Sequence, residues 1–208
     1  MSYVIFKNKN TNKKLVYYPC AKNANSSAKL FFANHLGIEN QYIFPYDNKP
    51  SYEITVNDFK NKKNLTNFFP NYQPFQIVEA DFKCCIIRNP IERFVSAYTN
   101  RILFHKDISF RNYSVDMVLE KLHIGNFENK HFLPQTYSLG NNLNYYTFYS
   151  DVNDIKFFEQ KVNDFFGKKI KFPKIHKSQK KLNINLTDLQ INKIKKIYSD
   201  DCNLILNV

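Results

Sequence analysis

The chain has 208 residues, of which 43% are hydrophobic and 16% aromatic, and a formal net charge of +12. That size suits a single domain, 1–208, with a substantial core, and with only 4 glycines a collagen-like or linker-rich design is excluded. No stretch is apolar for long enough to span a membrane and the amino terminus lacks a basic-then-apolar leader, so a soluble, cytoplasmic protein is expected.

In chain order, Lys14 to Tyr18 reads as a short apolar strand. A loop from Pro19 to Asn25 leads into a helix from about Ser26 to Leu36, which Gly37 stops. Residues 40–75 are irregular and rich in Asn, Tyr, Phe and Pro. Ile77 to Ile87 holds one or two strands, and a helix follows from Pro90 to about Phe104. Asn89 suits its N-cap, Pro90 its first turn, and Glu92 stands where a capping box wants a carboxylate. Ile91, Phe94, Val95, Tyr98 and Ile102 repeat at the spacing of one buried helical face. Ser114 to Leu122 is a short helix and Leu143 to Tyr149 a strand. Asp151 to Phe166 is amphipathic, with Ile155, Phe158, Val162 and Phe165 on one face and Gly167 behind it. A last helix runs from Thr187 to Tyr198, opened by the pattern Thr187-Asp188-Leu189-Gln190. Strands alternating with helices predict an α/β fold with a P-loop-like parallel sheet flanked by helices.

Two strand–loop–helix units carry the chemistry. In the first, Ala21-Lys22-Asn23-Ala24-Asn25-Ser26-Ser27 joins strand to helix. Small residues there let backbone N–H groups turn toward an anion, Lys22 brings a mobile charge, and Ser26 and Ser27 bring hydroxyls to the helix start. The glycines and Lys-Ser/Thr pair of a Walker A sequence are absent, which weakens an ATPase reading, and ordinary helix capping would explain the same residues. In the second unit a buried strand ends at Arg88 and runs into the capped helix carrying Ser96. A cation at a strand end beside a helix amino terminus is a natural phosphate holder. Arg88 and Ser96 both fall outside the apolar face. Arg93 is open to a structural role as an ion-pair partner of Glu92 or another carboxylate.

The excess of lysine fits either a solvated surface or a polyanionic partner such as nucleic acid, an acidic glycan or a phosphorylated cofactor. Cys84 and Cys85 are adjacent in a strand, Cys20 and Cys202 are isolated, and none has metal-ligand spacing, so reduced, partly buried thiols and no metal are expected.

Taken together, the two units resemble the paired cofactor loops of the carbohydrate sulfotransferases, in particular the chondroitin and dermatan sulfotransferase group. Arg88-Asn89-Pro90-Ile91-Glu92-Arg93-Phe94-Val95-Ser96-Ala97-Tyr98 is similar to the family's Arg-Asp-Pro-x-x-Arg-x-x-Ser-Ala-Tyr. His131-Phe132-Leu133-Pro134-Gln135 resembles its His-Trp-x-Pro-Gln, and Tyr198 to Leu204 its closing Tyr-x-x-Asp-Phe-x-Leu. The chain departs from the pattern at Ala21, Asn25, Ala28 and Asn89, and it lacks the cysteines that often follow Pro-Gln.

The resemblance implies a sulfotransferase fold and transfer of a sulfonate from 3′-phosphoadenosine-5′-phosphosulfate (PAPS) to a glycan hydroxyl, leaving PAP, with no metal. It implies that Lys22, Asn23, Ala24, Asn25, Ser26 and Ser27 hold the 5′-phosphosulfate, and that Arg88 and Ser96 hold the 3′-phosphate. Lys180, in the basic run His176 to Lys181, stands where relatives fold over the cofactor, although a solvated charge run explains it as well. Lys22 is the candidate for neutralising the leaving oxygen. His131 is the candidate base, with His35, Glu53, Asp58 and Glu79 open beside it, and residues 40–75 with His131–Gln135 are expected to line an acceptor cleft for a glycan, acidic ones included. Two rival classes remain at this point: a P-loop-type nucleotide kinase or phosphotransferase, and a basic nucleic-acid-binding module.

Overall fold

Strand side chains alternate between the two faces of a sheet, and that alternation builds two cores here. The computed structural model describes residues 3–8, 10–37, 52–55 (backbone only), 74–174 and 184–206. Five strands form one sheet: β1 Val4–Asn8, β2 Lys14–Tyr18, β3 Tyr52–Thr55, β4 Phe82–Ile87 and β5 Phe148–Asp151, in the order β3-β1-β2-β4-β5. The pairs β2–β4 and β4–β5 are parallel. The expected parallel sheet is therefore its β2-β4-β5 half. Two strands that the sequence reading did not find extend it, since β1 pairs antiparallel with both β2 and β3.

The β1–β2 hairpin turns on asparagine. Asn8 Oδ1 accepts from the N–H groups of Asn10 and Thr11 at 3.0 and 3.2 Å, and Asn12 takes the left-handed backbone such a turn needs, at φ 59°.

On one face, Val4, Phe6, Leu15, Tyr17, Cys84, Ile86 and Phe148 pack against helices α1 (Asn25–His35) and α5 (Lys156–Phe166). Phe6 stacks on Phe32 at 4.5 Å, and Phe158 and Val162 are fully buried. Phe166 is buried in the core, whereas Phe165, expected there, is only partly buried against it. Gly37 and Gly167 end these two helices at φ 66° and 63°, a conformation cheap only for glycine. On the other face, Val16, Tyr18, Cys85 and Ile87 meet Leu139, Leu143, Tyr146 and Leu204. The residues after Leu143 form a 3-10 turn before β5, so the strand starts later than expected.

A third core lies among helices: α2 Pro90–Tyr98, α3 Val115–His123 and α6 Asp188–Ile197. Its centre is Phe94, Phe110, Leu119, Phe132 and Ile194. Thr187 and Gln190 cap α6 reciprocally, as their spacing predicts. Two short helices complete the set, α4 Gln135–Leu139 and α7 Ser199–Leu206. The helix expected to run on to Phe104 changes character at Thr99, where Thr99–Phe104 wind as a π-helix. Among the described residues, no helix is long and apolar enough to cross a membrane.

Candidate active site

Both proposed loops leave the carboxyl ends of adjacent parallel strands, β2 and β4, which is where open α/β sheets bind ligands. The first loop is held in an unusual shape. Lys22 and Ala24 sit at φ 69° and 54°, left-handed values for residues with a Cβ, each costing about 1 kcal/mol or more. Ala24 is the N-cap of α1 and supplies no side-chain cap, so the strained loop delivers the chain into the helix without occupying its positive end.

Four hydrogen bonds, two of them buried, tie the loop and its neighbours together. Asn23 Nδ2 donates to Ile86 O at 2.8 Å and to Gln135 Oε1 at 2.9 Å. Gln135 Nε2 donates to Arg88 O at 2.9 Å, while its Oε1 also accepts from Arg88 N at 3.2 Å. Gln135 thus ties the first loop, the end of β4 and the start of α4 together. Asn23 was expected to offer its backbone N–H to a ligand, but that N–H closes the loop on Cys20 O at 3.3 Å. The side chain is structural as well.

The arginines of the second unit reach the same loop. Arg88 Nη1 donates to Lys22 O at 3.1 Å, and Arg93 Nε to Ala21 O at 3.1 Å. Arg88, not Arg93, is the partner of Glu92, with Nε and Oε2 3.5 Å apart. Glu92 therefore leaves the capping to Asn89, whose side chain accepts from the N–H groups of Ile91 and Glu92. Arg93 is only 3% exposed and lies in the field of Cys20, Asp201 and Tyr198. Asp201 accepts from the N–H groups of Gln135 and Thr136 at 2.8 and 2.9 Å, and from Thr136 Oγ1 at 2.9 Å. The closing motif and the Pro-Gln motif are thus one device, in which α7 caps α4 and seats Gln135.

Lys22 points its ammonium at Asn100 Oδ1, 2.5 Å away, at the start of the π-helical turn. Burial, then the charges of Arg101, Arg88 and Arg93, push its pKa down from 10.5 to about 8. His131 lies close by in a 3-10 turn, Lys130–Phe132. Burial, then Lys22 and Arg101, lower it to about 3, with Asp107 opposing them. The ring is neutral at neutral pH. Burial raises the Cys20 thiol to about 11, so it too is neutral; all four cysteines are free.

The remaining expected residues fall as follows. Ser26 is exposed, Ser27 buried and Asn25 half-buried on the first turn of α1. Ser96 is half-buried on α2, one turn after Glu92, the partner of Arg88. Lys180 and Asp58 lie outside the described residues, as does the side chain of Glu53. Glu79 is exposed. His35 lies in the α1–α5 core, stacked 4.6 Å from Phe166, away from the two loops. Among the described residues, no group of three or more His, Cys, Asp and Glu could hold a metal ion.

Asn100, Arg101, Asp107 and Asn129 were missed. Adding one turn to Ser96 would have found Asn100 and its neighbour. Asp107 and Asn129 sit in polar loops with no distinguishing spacing.

A cluster of one lysine, three arginines and a neutral histidine, built on strained backbone beside an uncapped helix start, is suited to hold an anionic group while a proton leaves a nucleophile. The family model described as the sulfotransferase family matches residues 8–204, which span both loops, His131 and Asp201. No curated protein and no solved structure matches the chain. By that match, which takes in nearly all of its length, the chain belongs to the sulfotransferase family and is an enzyme of sulfonate transfer.

Proposed function

We propose that the donor is PAPS and that the acceptor is a hydroxyl of a glycan. The observation that supports this best is the excess of cations at the ends of β2 and β4. Lys22 is lowered to about 8 because burial and three arginine charges act on it and only Asp107 opposes them. An anionic ligand relieves that repulsion. Arg88 Nε is buried without a hydrogen-bond acceptor, with Glu92 Oε2 standing 3.5 Å off. The residues present therefore fit a ligand with several anionic oxygens.

When bound, PAPS supplies the sulfonate and a phosphate oxygen as leaving group. Lys22 neutralises the charge that develops on that oxygen, and the start of α1, with Ser26 and Ser27, adds N–H and hydroxyl donors. Arg88 holds the 3′-phosphate with Ser96, which stands on α2 one turn beyond Glu92. His131 accepts the acceptor's proton. Its basicity, suppressed by burial and then by neighbouring cations, recovers in part as a bound anion offsets their charge. Lys180 is assigned to the nucleotide and residues 40–75 to the acceptor, most of them outside the described residues, together with His131–Gln135. The net charge of +12 favours an acidic chain by steering that salt screens. The reaction takes place in the cytoplasm and needs no metal, in one domain spanning 1–208.

Thermal shifts with PAP and with AMP test the donor assignment. A ligand that binds only the folded state raises its melting temperature. PAP is expected to stabilise the protein without metal, and AMP much less, because charge-assisted phosphate contacts contribute roughly 1.5–3 kcal/mol each. Equal shifts with the two nucleotides would remove the role given to Arg88 and Ser96.

A further inference from the structure

A continuous set of contacts joins the lysine at one side of the site to the histidine at the other. Lys22 Nζ donates to Asn100 Oδ1 at 2.5 Å. The next residue, Arg101, donates through Nε and Nη2 to the two carboxylate oxygens of Asp107, both at 2.7 Å. Asp107 Oδ2 also accepts from Asn129 Nδ2 at 2.7 Å, and Asn129 Oδ1 accepts from the backbone N–H of His131 at 3.2 Å. Asn129 is itself 8% exposed.

The π-helical turn Thr99–Phe104 makes this arrangement. A π turn takes more residues per revolution than an α-helix, so side chains after Tyr98 are rotated from where the α2 face would put them. Asn100 turns to Lys22 while Ile102 stays in the helical core. Arg101 emerges between them, with its side chain 26% exposed. The fork–fork contact with Asp107 fixes the plane of the guanidinium but engages only one edge of it. The Nη1 amino group takes no part in that contact and has no hydrogen-bond acceptor among the described residues. Arg101 is also the largest neighbouring charge felt by Lys22, and the second largest felt by His131. Arg101 therefore belongs, by its contacts and its charge, to the same cluster as both residues.

We propose that Arg101 is a further catalytic cation that contacts the sulfonate itself, and that Asp107 is the positioning residue that orients it. This rests on the PAPS reading above. Arg101 forms no covalent bond and moves no proton. It binds the equatorial sulfonate oxygens, while Lys22 serves the leaving oxygen and Arg88 the 3′-phosphate. Asp107 leaves the site near neutral on that side, so that the guanidinium acts by direction as well as by charge.

The difference between PAPS and PAP isolates the sulfonate. Calorimetric titration of both into wild type, Arg101→Ala, Arg101→Lys and Asp107→Asn needs no acceptor. In Arg101→Ala the affinity for PAPS should fall by at least about tenfold, the scale of one charge-assisted hydrogen bond, with PAP unchanged within about threefold. Arg101→Lys, which keeps the charge and loses the fork, should recover part of the loss and guards against a folding defect in the alanine variant. Asp107→Asn discriminates positioning from mere charge. Removing a negative charge beside an anion would by itself tighten PAPS binding, whereas loss of orientation weakens it. A tighter PAPS complex in Asp107→Asn would reject the positioning role. Equal losses for PAPS and PAP in Arg101→Ala, or no loss for either, would overturn the assignment of Arg101. Failure of PAP to bind wild type would instead count against the PAPS reading.

Discussion

At Lys22 burial and charge act in one direction. Burial and the neighbouring arginines make the ammonium charge costly in the free enzyme, and a backbone φ of 69° adds strain at the same residue. The free Lys22 gives up its proton at about pH 8, whereas an unfolded lysine keeps its proton to about 10.4. The unfolded state therefore binds more protons between those values, and the free protein gains stability from this group as pH rises through that window. Donor binding should do the reverse. An anion beside Lys22 favours the charged form, so PAP binding takes up a proton near pH 8 and weakens as pH rises above it, by up to about tenfold per pH unit. Lys22→Arg keeps its charge throughout, so its PAP affinity should stay flat from pH 7.5 to 9.5. Parallel profiles for wild type and Lys22→Arg, followed by titration calorimetry, would show that another group titrates.

Among the elements, the α4–α7 junction carries most of the site's rigidity. Asp201 is buried, and burial raises its pKa against the pull of Arg93 and the donors of Gln135 and Thr136. Asp201→Ala leaves two buried N–H groups without an acceptor and Arg93 without its carboxylate, a loss of roughly 3–5 kcal/mol. Thr136→Val removes one hydroxyl donor and should cost about 1 kcal/mol. Denaturant titration in which Asp201→Ala proved no worse than Thr136→Val would reject the junction as the anchor. The elements that sequence alone made legible were those with local punctuation. Asn89-Pro90 opens α2, the Thr187–Gln190 box opens α6, and Gly37 and Gly167 end α1 and α5. β1 escaped because its turn signal, asparagine, is scattered through the whole chain and so marks nothing. The π turn escaped because Tyr98 and Ile102 are both buried and fit an α-helical spacing equally well. Glu92 suited a capping box, but the Arg88 guanidinium four residues before it competes for its carboxylate, at 3.5 Å.

For the molecule as a whole, the parallel half of the sheet brings Lys22 and Arg88 together across 66 residues of sequence. Their motifs were legible because each is local, whereas Asp107 and Asn129 enter through tertiary contacts that leave no periodic trace. The same sheet places His35 at the far end of α1 from the phosphate loop. Its ring lies between Phe31, edge-on at 4.7 Å, and Phe166, stacked at 4.6 Å. Burial and the charge of Lys168, whose ammonium donates to His35 O at 2.5 Å, lower its pKa from 6.5 to about 4, with Asn163 opposing them. The unfolded chain thus takes a proton at His35 near pH 6.5 that the folded one refuses. Stability from this group is full above pH 6.5 and is lost as pH falls toward 4, by up to about 1.4 kcal/mol per unit. His35→Phe places a third ring in the same aromatic stack and removes the titration. Melting temperature should fall between pH 7 and pH 5 in both proteins, because other groups titrate in each, but on the order of 3–6 °C further in wild type. Superimposable pH profiles for the two would assign acid lability to groups other than His35.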